Sequence, residues 1–209
     1  MPIPYCQRDD DTVVLIIVIC TIMGLLALAT VGNQILREIK SFIYTRDYSF
    51  FFGNAIERTY KYVLCGQTAL LLALGIYLID EEYTIWLYIG IFSLYFIMRY
   101  ILYYAINYFY FSAKQAQNWN HSLILITAVE GLFLFPLIVA CVYFSLPIKI
   151  AFYSAIAIVV CAKLSLFYKA NRMFFGTLSG LLQNILYFCM LEIGPLLLLR
   201  EVLTGFIGN

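Results

Sequence analysis

Four ionisable side chains fall inside the longest apolar runs of this 209-residue chain: Arg99, Glu130, Lys163 and Glu192. Two are cations and two are carboxylates, so the set is neutral if all are charged. A lone charge at the centre of a lipid bilayer costs at least about 2.5–3.5 kcal/mol. Such residues therefore turn inward and pair. One reading is a proton or substrate pathway that uses them. The other is a set of buried pairs that fixes the register of neighbouring helices. The residue types alone leave both open. The amides Gln67, Asn107, Gln183 and Asn184 are available to join a buried polar network.

Glu192 stands in "CMLEIGPLLLLR", residues 189–200, just before Gly194 and Pro195. Proline cannot donate a backbone hydrogen bond and frees the carbonyl four residues earlier. Gly194 and Pro195 therefore mark a kink, and Glu192 is expected to face Lys163, Arg99 or an amide such as Gln67.

Other chemistry has little to stand on. His121 is the only histidine and cannot alone build a bis-histidine or zinc centre. Of the six cysteines, Cys20, Cys65, Cys141, Cys161 and Cys189 lie in apolar segments. There a thiol behaves as a small hydrophobe. Cys6 lies outside them, with no lipoprotein box nearby. "GTLSG" (176–180) lacks the fit of an intramembrane serine protease, and no phosphate loop, H-E-x-x-H or dinucleotide motif occurs. No catalytic residue, cofactor or metal site is expected.

The elements that would position the charges follow from composition. The chain is 64% hydrophobic and 12% charged, with 18% aromatic residues. A soluble domain carries roughly 25% charged residues. The net charge of +1 gives no basic surface for nucleic acid. Runs of about 18 or more apolar residues mark transmembrane helices. The reading is all-α: one integral membrane domain over 1–209, a polytopic helical bundle. Its six spans lie at about 12–32, 62–79, 85–111, 122–145, 148–168 and 181–203. The N-terminal "MPIPYCQRDDD" lacks a basic region, so the first span is expected to be retained. Residues 33–61 mix charges with Ile35, Leu36, Ile39, Phe42 and Ile43 on one helical face, which predicts an amphipathic segment at the interface. Residues 112–121, "SAKQAQNWNH", read as a polar loop, as does "KANR" (169–172).

Loops one, three and five carry eight lysines and arginines: Arg37, Lys40, Arg46, Arg58, Lys61, Lys114, Lys169 and Arg172. The opposite side carries three: Arg8, Lys149 and Arg200. The positive-inside rule then puts both termini outside and those three loops in the cytoplasm. Glu130 falls roughly 12 Å from the cytoplasmic end of its span and Arg99 roughly 12–18 Å from the end of its own. Matched depth on adjacent antiparallel spans predicts an Arg99–Glu130 contact. Lys163 is near enough to the end of its span to snorkel.

"LSLFYKANRMFFGTLSGLLQNILYFCMLEIGPLLLL" resembles the signature of the DUF4271 family, multi-pass inner-membrane proteins of Bacteroidota. The shared core is Leu191, Glu192, Ile193 and Pro195, and "EGLFLFPL" (130–137) resembles the family's Gly-to-Pro span. The resemblance implies a helical membrane fold and an inner-membrane location, and it brings no catalytic residue. Small size, short loops and absent catalytic motifs lead to a non-enzymatic subunit or accessory factor of a larger envelope complex, such as a secretion or translocation assembly. Its partners would be membrane lipids and other membrane subunits. The alternative is a small transporter or proton-coupled factor that uses the buried charges.

Overall fold

The computed structural model describes residues 11–44, 55–79, 84–110, 113–144 and 146–171, together with 194, 195, 197 and 201. Within these, the chain forms five helices: α1 (Asp11–Tyr44), α2 (Ala55–Tyr77), α3 (Ile85–Tyr110), α4 (Ala113–Tyr143) and α5 (Ile148–Ala170). Each contains a stretch long and apolar enough to cross a membrane: Asp11–Thr30, Thr59–Tyr77, Ile85–Tyr108, Ala116–Tyr143 and Lys149–Ala170. Helix is what lipid demands, because it satisfies backbone polar groups within the segment. The protein is an all-helical membrane bundle.

The starts of α3 and α5 are locally determined. The Thr84 carbonyl accepts from Leu87 N–H to open α3. Pro147 precedes α5 at φ −56°, where its missing N–H costs nothing, and its carbonyl accepts from Ile150 at 2.9 Å.

Two expectations about loops change. Residues 113–121 are the first turns of α4, not a loop. One face of this stretch enters the bundle: Trp119 is wholly buried beside Tyr103, Leu166 and Ala170, while Gln117 is exposed. Lys169 likewise belongs to the last turn of α5 and is buried, and Asn171 caps that helix by donating its N–H to Phe167 and Tyr168 carbonyls. Residues 33–44 continue α1 without a break. Ile35 is buried against Leu64, Leu125 and Ala128, while Leu36 is exposed. The sixth expected span lies outside the described residues except for Gly194, Pro195, Leu197 and Glu201, which are helical.

The packing has a clear centre. α2 and α4 make the largest contact, α1 and α3 pack on α2, and α5 packs on α4. Partner residues rise together along α2 and α4: Lys61 meets His121, Cys65 meets Ile124, Thr68 meets Thr127, and Gly75 meets Ile138. The two central helices are therefore parallel, as alternate spans of an up-and-down chain must be. Small residues bring them close. A Cβ at Gly131 would collide with Thr68 Oγ1 and lie 3.3 Å from Thr68 Cα. Membrane helices gain from such approach, since packing and hydrogen bonds replace the hydrophobic drive.

We call the end where α2 and α4 begin the lower end. Above the middle, one core joins α1, α2, α3 and α4 through Ile17, Leu74, Tyr88 and Leu134. Below it, two smaller cores flank α4: Tyr103, Trp119 and Leu166 on one side, Ala27, Leu64 and Leu125 on the other. Buried Arg99 and Glu130 lie between these layers.

Candidate intramembrane charge site

α3 presents one inward stripe: Tyr88, Phe92, Tyr95, Arg99, Tyr103 and Asn107, all buried and spaced three or four residues apart. This spacing keeps one helical face toward the bundle. Asn107 Nδ2 donates to Asn120 Oδ1 at 3.2 Å and so fixes the antiparallel register of α3 and α4. Eight residues from Asn107, about 12 Å along the axis, lies Arg99. Eight residues from Asn120 lies Ala128, two positions from Glu130. Arg99 and Glu130 thus share one depth, as the spacing in sequence predicts.

Glu130 and Arg99 are 3% and 2% exposed. The structure adds Lys163 to that expectation: its Nζ lies 3.9 Å from Glu130 Oε2. This is longer than the 2.7–2.9 Å typical of a charge-assisted hydrogen bond. The pair joins α4 to α5. The guanidinium of Arg99 stacks 5.7 Å from the centre of the Tyr103 ring on its own helix. Both Arg99 and Glu130 lie within electrostatic reach of Cys65 on α2. Beside them, Thr68 Oγ1 is shared between the Leu64 and Thr127 carbonyls at 2.9 Å each. Four helices therefore converge on one polar layer.

Gln67 and Asn107 do not join that layer in the same way. Asn107 belongs to a second cluster at the lower end, with Asn120. Gln67 turns toward α1, where Gly24 makes room for its amide; among the described residues neither amide atom has a hydrogen-bond partner. In the lower cluster, Lys61 Nζ donates to His121 Nε2 at 3.0 Å. Lys61 is 3% exposed. His121 must accept there, so its neutral Nδ1–H tautomer is the form that fits. Sequence reading placed Lys61 and His121 in loops and missed this contact. The signal was available: Lys61, Cys65 and Thr68 recur at helical spacing and face α4.

Glu192, Gln183 and Asn184 lie outside the described residues. Gly194 and Pro195, the expected kink, are helical, and Pro195 is buried.

Two grooves border the charge layer, of about 370 and about 780 Å³. Both are walled by apolar side chains. No curated protein and no solved structure matches the chain. A family model described as a domain of unknown function, DUF4271, matches residues 13–203 and so spans nearly the whole chain. By that match, together with the bundle of apolar helices it covers, the protein belongs to the DUF4271 family.

Proposed function

We propose that the chain is a non-enzymatic subunit or accessory factor of a larger cell-envelope complex. It would sit in the inner membrane of a Bacteroidota cell with both termini in the periplasm. The observation that carries this reading is the placement of α5. Only 6% of its spanning segment is buried, against 28–50% for the other four. Its exposed face includes Ile150, Tyr153, Ile156, Val160, Leu164 and Tyr168. This aromatic and branched surface suits another membrane helix. Some polar groups support the same reading, since Thr68 and the Thr127 carbonyl, and Lys61 and His121, bond one another between helices.

Affinity purification in mild detergent with mass spectrometry tests the proposal. Stoichiometric membrane subunits should co-purify, and crosslinkers placed at Tyr153 or Val160 should capture one of them. A chain that purifies alone and crosslinks only to lipid would defeat it.

A further inference from the structure

The two grooves run in opposite directions along α4 and α5. One starts beside Glu130 and Lys163 and extends to Ile79, Cys141 and Phe152 at the upper end. The other starts beside Glu130 and Phe133 and extends to Ile39 and Tyr168 at the lower end. They lie on different faces of the α4–α5 contact. Among their described lining residues, Glu130 is the one they share. A carboxylate at mid-span is thus the meeting point of two half-length grooves, one from each end of the bundle.

We propose that Glu130 is a proton-binding site reached from both faces of the membrane, with Lys163 as its counter-ion. The reading rests on the membrane-spanning fold and goes beyond the subunit proposal. Ionisable residues that face a bundle interior at this depth mark ion pathways and proton relays. Hydroxyls stand along each route: Tyr95 borders the upper groove, Ser165 and Tyr168 the lower. Among the described residues, the charged and titratable groups around Glu130 include Lys163 on α5, Arg99 on α3 and Cys65 on α2. α1 contributes Gly24 near this level, beside Gln67, and it does not titrate.

The step balances simply. The ionised carboxylate takes a proton from a hydronium ion and releases water, so the Glu130–Lys163 site changes from neutral to +1. Lys163 then loses its attraction to Glu130. Its side chain is 19% exposed, against 2% for Glu130. Seven residues, about 10 Å, separate it from the end of α5. Its ammonium can follow its apolar stem toward the lower end. The ion-pair part of the contact between α4 and α5 then depends on the proton.

Dicyclohexylcarbodiimide tests this. It is apolar, enters such grooves and reacts only with a protonated carboxyl. The acid O–H adds across a C=N bond to give an O-acylisourea, which rearranges to a stable N-acylurea with no group leaving. The purified chain, reconstituted in phosphatidylcholine vesicles, is treated and mapped by peptide mass spectrometry. Glu130 should be labelled, with a rate rising up to about tenfold per pH unit of acidification. Glu130→Gln should lose that label, and Lys163→Met should raise its rate at neutral pH. With one side held at about pH 8 and the other moved toward about pH 6, the rate should respond in both arrangements. An ion pair with only a structural role stays ionised and unlabelled. Absence of labelling, or labelling indifferent to pH, overturns the proposal. A response to one side only overturns access from both faces.

Discussion

Replacing Gly131 by alanine adds one methyl group at the closest point of the bundle. In the structure that Cβ would overlap Thr68 Oγ1 and lie 3.1 Å from Thr68 Cβ and 3.3 Å from Thr68 Cα. The hydroxyl cannot turn aside without losing its contacts to the Leu64 and Thr127 carbonyls at 2.9 Å. The backbone contact can relax only if α2 and α4 separate by a few tenths of an ångström along their largest interface. Overpacking of this kind costs about 1–3 kcal/mol. For a chain of this size each kcal/mol is about 2–4 °C of melting temperature, so Gly131→Ala should fall by about 2–12 °C. Thermal unfolding in detergent, followed by size-exclusion chromatography, reads it. Thr68→Ala should cost less, since an interhelical hydrogen bond in a membrane protein is worth about 0.6 kcal/mol. The double variant should recover part of the loss, because removing Oγ1 makes space for the new methyl. A double-mutant cycle should show coupling of about 1 kcal/mol. A Gly131→Ala protein within about 1 °C of wild type, or a double variant whose losses simply add, would refute the close-approach argument.

Glu130→Leu strips Lys163 of its carboxylate and should destabilise by about 3–5 kcal/mol, seen as loss of the monodisperse peak. The Glu130→Leu/Lys163→Leu double variant should regain most of it. His121→Leu removes an acceptor of a buried ammonium and should cost about 1.5–3 kcal/mol, whereas His121→Gln, which keeps an acceptor, should melt closer to wild type. For topology, a cysteine at exposed Gln117 should react with impermeant maleimide only from the cytoplasm, while Cys6 or a cysteine at residues 80–82 reacts from outside. The opposite sidedness would reverse the orientation drawn from lysine and arginine counts.

Composition and hydropathy sufficed for the class of fold and for five of the spans, because a long apolar run in lipid has one backbone solution. The expected 62–79 and 148–168 lie within two or three residues of Thr59–Tyr77 and Lys149–Ala170. The lower end was misread where polarity was equated with solvent. Residues 113–121 are polar yet helical, and Asn120 and His121 bond inward to Asn107 and Lys61. Arg99, Glu130 and Lys163 were readable as charges inside spans, and Arg99 and Glu130 as charges of matched depth. Partner choice was harder. Helices apolar around their whole circumference carry no periodic stripe to say which face meets which neighbour, so Lys163 opposite Glu130 followed only from packing. α3 is the exception, since Tyr88, Tyr95, Arg99, Tyr103 and Asn107 spell its inner face in sequence. The close approach of Gly131 to Thr68 also followed only from packing.

The parallel pairing of α2 with α4 also sets an order of events during synthesis. α2 is the least apolar of the five spans, with a mean hydropathy of 1.2 against 1.7–2.9 for the others. It carries Lys61, Gln67 and Thr68 into the bundle. The partners of Lys61 and Thr68 lie 59 or 60 residues later in the chain. At about 5–20 residues per second, α2 waits about 3–12 s before α4 emerges from the ribosome. In that interval the Lys61 ammonium lacks His121, and the Thr68 hydroxyl has the Leu64 carbonyl of its own helix but not that of Thr127. α1, which packs on α2 through Gly24 and Ala27, is the one neighbour already made. The hairpin of α1 and α2 is therefore a nascent intermediate that the membrane must hold at partial insertion, and the arrival of α4 is the step that commits the bundle.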